Sequence, residues 1–163
     1  MITLKSSVSD EIHKQLAIEL FNFTWDLIEK PDRNETEDET MVNAAHASRF
    51  HWDMVGTAQH FATGEWQISR VYSLVGRPEP ALFHAQKSLA LCQNNQLGDF
   101  NTGFAYEALA RAYATQGDTK QRDENIALAN RSAEKVDKES DRVWLLKNVN
   151  TIASLSLPIW EGN

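Results

Sequence analysis

Three of the chain's five histidines lie within fifteen residues, in the stretch HASRFHWDMVGTAQH. His46, His51 and His60 are side chains of the type that ligates metals and transfers protons. On a regular helix His46 and His51 would project roughly 140° apart, whereas a metal-binding pair needs a spacing of three or four residues. We therefore predict neither a metal nor a cofactor here and expect His51 to be a hydrogen-bonded, partly buried histidine. His46 shares a helix face with Arg49 and Asp53, which predicts a polar contact surface.

Other catalytic patterns are missing from the sequence. It contains no phosphate-binding glycine loop, dinucleotide fingerprint, nucleophile elbow or CxxC pair. The single cysteine, Cys92, lies in the apolar run SLALCQ and is expected to pack as a small hydrophobe. One enzymatic alternative stays open, a small-molecule-dependent or metal-dependent enzyme built on five converging side chains: His46, Asp53, His60, Glu65 and His84.

Size and charge narrow the class of protein. A chain of 163 residues suits one domain with a proper core. Its net charge of -7 argues against a general nucleic-acid binder, which needs a basic face. The first residues lack the apolar stretch of a signal peptide, and no run approaches the roughly 20 apolar residues that cross a bilayer. A soluble, cytoplasmic protein without nucleic-acid or membrane partners is the expectation.

Helices must position the candidate side chains, because no alternating strand of useful length appears and no proline interrupts a long helical pattern. Seven helices are predicted, over residues 9–30, 37–55, 58–75, 78–95, 100–116, 119–135 and from 138 to a point before Pro158. The first helix is expected to bury one apolar stripe, formed by Ile12, Leu16, Leu20, Phe23 and Leu27.

Two segments match each other at an offset of 41 residues, ISRVYSLVGRPEPALFHAQKSLAL and LARAYATQGDTKQRDENIALANRS. In this register Arg70 corresponds to Arg111, and Gly76 corresponds to Gly117. A repeat built as helix, glycine turn and helix predicts stacked helical hairpins.

These segments resemble tetratricopeptide repeats, of a longer kind with roughly 40 residues. Ser69 and Ala110 stand where the first helix of that repeat has a small residue, and Ala81 stands at the small position of a second helix. Two positions depart from the family pattern. Glu65 replaces a large apolar residue, and Arg122 replaces a small one.

The resemblance covers residues 63–135 and implies a right-handed α-solenoid of antiparallel helical hairpins. The expected fold is therefore a single all-α domain of about seven helices with a concave groove. Residues 1–56 would form a diverged leading hairpin, residues 57–135 the two clear units, and residues 136–163 a capping helix and tail.

The resemblance also implies which residues line the groove. In the two units these are Thr63, Trp66, Arg70 and Ser73, then Phe104, Glu107, Arg111 and Ala114. Two arginines at matching positions resemble an arrangement that clamps a peptide carboxylate, which a guanidinium binds bidentately. In the alternative interpretation the arginines pair with Glu65, Glu107 or neighbouring acids and brace adjacent hairpins. Trp66 is either a ligand anchor or part of the core.

The sequence thus predicts a non-catalytic interaction or scaffold module that binds a peptide or partner protein in its groove. The candidate binding residues are Thr63, Trp66, Arg70, Phe104, Glu107 and Arg111. The alternatives are the enzyme described above and a structural protein that forms homo-oligomers through its apolar faces or end helices.

Overall fold

A computed structural model describes residues 7–153, which form seven α-helices and no strand. The helices are α1 (Asp10–Glu29), α2 (Glu35–Val55), α3 (Ala58–Leu74), α4 (Pro78–Asn94), α5 (Asp99–Gln116), α6 (Thr119–Glu134) and α7 (Glu139–Ala153). The predicted all-α class is confirmed, and the predicted bounds agree with these to within about two residues up to α7. The predicted end of the last helix lies outside the described residues.

Local side chains fix the helix starts. The hydroxyl of Ser9 accepts a hydrogen bond of 3.3 Å from the backbone N–H of Ile12, as expected of an N-cap. Asn34 and Glu37 form a capping box, in which each side chain accepts from the other residue's backbone N–H. Because Asn34 caps the helix, α2 begins at Glu35, two residues before the prediction.

The two repeat units end their first helices with the same turn. Gly76 and Gly117 have φ angles of +73° and +85°, a left-handed conformation that glycine adopts without steric cost. The N–H of the residue after each glycine bonds back to a tyrosine carbonyl, Arg77 to Tyr72 and Asp118 to Tyr113. The predicted glycine turns are confirmed.

The helices stack as antiparallel hairpins joined by short loops, which gives the predicted solenoid. Each helix packs on the next along the chain, and the odd-numbered helices also contact one another in sequence. In the described part of the chain no two even-numbered helices make such contacts. The odd-numbered helices therefore line the inner, concave side of the stack, and the even-numbered helices lie on the outer side.

Small residues let paired helices approach closely. Within two hairpins, buried serine hydroxyls donate to a carbonyl of the neighbouring helix at 2.7–2.9 Å. The pairs are Ser48 with Ala17, Ser69 with Ala81, and Ser88 with Ala62. These bonds satisfy hydroxyls that would otherwise be buried without a partner.

The predicted apolar stripe of α1 is wrong in part. Ile12 and Phe23 are 48% and 43% exposed, whereas His13, Ala17 and Thr24 are buried. Apolar residues occur on several sides of α1, and the buried side of α1 combines these small and polar residues with Leu27 and Ile28, which cluster with Met41 and Ala45 of α2. No helix within residues 7–153 combines the length and apolarity that a membrane crossing requires.

Candidate functional site

An aromatic cavity of about 220 Å³ opens on the concave side of the solenoid. All four odd-numbered helices contribute aromatic side chains to it. They are Phe21 and Trp25 from α1, Trp66 from α3, Phe100 and Phe104 from α5, and Trp144 from α7. Helices far apart in the sequence thus meet at one apolar site, which we call the first cavity.

The aromatic rings of the first cavity support one another. Trp25 lies 5.6 Å from Trp66, Trp66 meets Phe104 edge-on at 5.2 Å, and Phe104 meets Phe100 edge-on at 5.1 Å, measured between ring centroids. Tilted and edge-on contacts at these distances are favourable for aromatic pairs. Trp144 remains 47% exposed, so the wall is preformed on three helices and open to solvent at α7.

Small side chains complete the first cavity, and two of them already donate hydrogen bonds to backbone carbonyls. Ser88 donates to the carbonyl of Ala62 at 2.9 Å, and Asn101 donates to that of Leu97 at 2.8 Å. Burial raises the pKa of the Cys92 thiol to about 11, so the thiol is uncharged at neutral pH. Cys92 is buried as predicted, and within residues 7–153 no charged group lowers the pKa of its thiol to activate it as a nucleophile.

A second cavity of about 290 Å³ adjoins the first, and the two share Phe21 and Thr63 as lining residues. Its remaining lining residues mix apolar and uncharged polar side chains: Ile18, Asn22, Trp52, Gln59 and His60. The concave groove therefore changes from aromatic to polar across Phe21 and Thr63.

The hydrogen bonds of His60 determine which of its ring nitrogens carries the proton. Its imidazole stacks on Trp52 with ring centroids 4.0 Å apart. Its Nδ1 accepts a 3.1 Å bond from the backbone N–H of Thr57, whose hydroxyl oxygen also lies 3.0 Å away. A backbone N–H can only donate, so the proton of the neutral ring lies on Nε2.

Glu107 lies behind the aromatic wall and is fully buried. Its carboxylate accepts from the indole N–H of Trp66 at 2.7 Å, from Arg111 at 2.6 and 2.8 Å, and from Arg70 at 3.3 Å. We call these four residues the inner network. It holds α3 against α5 and fixes the orientation of the Trp66 ring.

The two arginines of the inner network differ in how fully they are bound. Arg111 also donates to the carbonyl of Asn148 at 3.1 Å and to the hydroxyl of Thr151 at 2.7 Å, which ties α5 to α7. Arg70 makes only its one contact with Glu107, and its buried Nε has no partner in residues 7–153. Burial, and then the charge of Arg111, lower the pKa of Arg70 to about 10. These contacts favour the bracing interpretation over the clamp.

Glu65 centres a corresponding outer network on the other side of the stack. Its buried carboxylate accepts from Arg49 of α2 at 3.1 Å, and from His84 at 2.6 Å and Lys87 at 3.1 Å, both of α4. Burial acts to raise the pKa of Glu65, but the bonds from His84 and Lys87 hold it below its ordinary value. The acid that departs from the repeat pattern thus connects two helices whose backbones do not meet.

Three of the five residues of the enzymatic alternative converge. His84 bonds to Glu65, and the His46 ring lies 5.3 Å from that of His84, with its Nε2 2.9 Å from the Tyr72 hydroxyl. His60 does not join them, because it lies at the second cavity. Within residues 7–153 no group of three His, Cys, Asp or Glu side chains is arranged to hold a metal ion.

The predicted polar surface is divided between partners. Arg49 pairs with Asp53 and with Glu65, while His46 faces Tyr72. This group therefore belongs to the outer side of the stack and does not reach the concave groove. As predicted, His51 is hydrogen-bonded and partly buried, with its Nδ1 2.8 Å from Nδ1 of His13.

Three of the six predicted groove residues, Thr63, Trp66 and Phe104, line the first cavity. Glu107 and Arg111 lie behind its wall, and Arg70 points to Glu107. The prediction missed the aromatic lining residues of α1 and α7 and the one at the start of α5. These residues are Phe21, Trp25, Trp144 and Phe100. The four-residue spacing of Phe21 with Trp25 and of Phe100 with Phe104 was the available signal, since such pairs share a helix face.

Comparison of the chain with protein-family models, with curated proteins and with solved structures found no match. The concave cavities and the two carboxylate networks are accordingly the features from which a function can be inferred.

Proposed function

We propose that the protein is a non-catalytic binding module that takes an apolar side chain of a partner peptide or protein into the first cavity. One observation carries this proposal: four helices distant in sequence each place aromatic side chains around one cavity on the concave face. Concave sites lined by aromatic residues and open to solvent are typical anchor points for ligands.

The size of the first cavity favours a single side chain as its occupant. An apolar cavity of about 150 Å³ accommodates benzene, and the first cavity measures about 220 Å³. Pockets for free drug-sized ligands are generally larger, about 300–1,000 Å³. An aromatic or large aliphatic side chain fits the first cavity, and the rest of the partner would lie along the open groove.

The resemblance to tetratricopeptide repeats supports the same proposal, because in such repeats the first helices of the hairpins line the ligand groove. In this assignment Thr63, Trp66 and Phe104 contact the partner, and Glu107 with Arg111 keeps Trp66 in place. A cytoplasmic location belongs to the proposal as well, since a single cysteine provides no internal disulfide of the kind common in secreted domains.

Selection from a random peptide display library tests the proposal. Thr63 is partly exposed and lines both cavities, so Thr63→Trp would fill their junction. Ala127→Trp introduces the same side chain at an exposed position of α6 and serves as the matched control. Peptides with a large apolar residue should be enriched on the wild type and on Ala127→Trp.

The enriched peptides should fail to bind Thr63→Trp, while circular dichroism shows the same helix content for all three proteins. Peptides that bind Thr63→Trp and the wild type equally would show that the first cavity is not the binding site.

A further inference from the structure

The two cavities lack charged lining residues. None of the described residues that line them is Asp, Glu, Lys or Arg, although such residues make up 24% of the chain. We infer that the groove selects an uncharged, internal peptide segment, with an aromatic side chain in the first cavity and the adjoining backbone amide in the second. This inference rests on the proposed function and names the ligand class of that same site.

The first cavity offers an incoming group little besides apolar contact. The hydroxyl of Ser88 and the amide of Asn101 already donate to backbone carbonyls, and the Cys92 thiol is uncharged. Away from Thr63, which lies at the boundary with the second cavity, a polar group placed there would exchange its water for few hydrogen bonds, which is unfavourable. An aromatic ring loses nothing of this kind and gains edge and face contacts with six aromatic side chains.

The second cavity offers hydrogen bonds but no charge. Asn22, Gln59 and Thr63 line it, and their side chains make no hydrogen bond within residues 7–153. The Nε2–H of His60 is likewise without a partner in that range, and it can only donate in the neutral ring. Side-chain amides present one acceptor and two donors, which match the N–H and C=O of a peptide group.

Within residues 7–153, no side chain that lines the two cavities offers a counter-ion to a peptide terminus or to a charged residue beside the bound ring. Arg70 and Arg111 are already bound to Glu107 behind the Trp66 ring, and the exposed Lys147 lies over the ring of Trp144, with its Nζ 5.8 Å from the ring centroid. An ion that enters without a partner loses hydration that the uncharged lining cannot replace. The groove therefore favours a neutral peptide group over a free carboxylate or ammonium.

Two pairs of small probes test this selection, each pair sharing one phenyl ring and differing in charge. N-acetylphenylalaninamide is compared with N-acetylphenylalanine, and N-acetylphenethylamine with phenethylamine. Because three tryptophans line the first cavity, tryptophan-selective fluorescence titration reports binding. The neutral member of each pair should bind at least about tenfold more tightly than the charged member.

Toluene, which has the ring but no amide, separates the two cavities. The double variant Asn22→Leu/Gln59→Leu should bind N-acetylphenylalaninamide about tenfold more weakly and toluene unchanged, because it loses only hydrogen bonds to the amide. Gln86→Leu, at an exposed position of α4, is the matched control and should bind both probes like the wild type.

Each remaining outcome gives a definite answer. If toluene binds and the two members of each pair have affinities within about twofold of each other, the first cavity is supported as a binding site. The inferred selection for neutral segments is then overturned. Tighter binding of N-acetylphenylalanine would overturn it in favour of the arginine clamp, and tighter binding of phenethylamine in favour of a cation site. If neither toluene nor any amide binds, the proposed function fails together with the inference.

Discussion

Two arginines at matching repeat positions are expected to contribute very differently to stability. Arg70→Met and Arg111→Met each remove a guanidinium from the inner network while keeping most of the apolar stem. Arg111 is 4% exposed and joins Glu107 to a carbonyl and a hydroxyl of α7, whereas Arg70 makes one contact of 3.3 Å. The same substitution therefore tests two different roles.

The contacts set the expected magnitudes. Arg111→Met leaves the fully buried Glu107 with the Trp66 indole N–H and with the long Arg70 contact as its remaining charged partner in the inner network, and breaking a buried pair in this way costs about 3–5 kcal/mol. Arg70→Met leaves Glu107 bound to Arg111 and removes the repulsion between two guanidiniums that share one carboxylate. Its expected cost is therefore small, about 0–1 kcal/mol.

Urea unfolding followed by circular dichroism measures both free energies. Arg131→Met, at an exposed position of α6 without an ion pair in residues 7–153, is the control and should lie within about 0.5 kcal/mol of the wild type. Equal losses for Arg70→Met and Arg111→Met, or a larger loss for Arg70→Met, would refute the bracing interpretation of the inner network.

Two further predictions concern packing and pH. Gly103→Ala should lower the free energy of unfolding by about 1–3 kcal/mol, because its methyl group would collide with the buried side chain of Leu145. Gly64→Ala, whose methyl meets a flexible side chain, should lower it less, and urea unfolding showing the reverse order would contradict this. Burial lowers the pKa values of His46 and His51, so the unfolded chain takes up protons first and stability should decrease as pH falls below the ordinary pKa of 6.5. For the double variant His46→Phe/His51→Gln, the free energy of unfolding in urea should decrease less steeply as pH falls below 6.5. An unchanged slope would exclude these two histidines as the source of the pH dependence.

The helices and turns could be predicted because their signals are local. Ser9 precedes an acidic first turn, and Gly76 and Gly117 supply the left-handed backbone that ends two helices. The buried face of α1 could not be predicted in the same way. Its apolar residues occupy several sides of the helix, and which side is buried depends on the surface that α2 presents to it.

The candidate site was partly predictable because the repeat register identifies the concave positions of α3 and α5. That register predicts Trp66 and Phe104, but it does not extend to α1 or α7, so Trp25 and Trp144 were missed. The hydrogen-bond partners of Glu107 could not be predicted from the sequence either. One of its hydrogen bonds comes from Trp66, 41 residues away, and no local pattern indicates which polar groups will surround a buried acid.

The positions of the two buried carboxylates have a mechanical consequence. Glu107 connects helices on the concave side of the stack, and Glu65 connects helices on the convex side. A change in curvature that widens the groove would lengthen the contacts on one side and compress those on the other. The bend of the solenoid is therefore held from both sides, and the stiffness that keeps the groove at one width is concentrated where α3 packs against its neighbours.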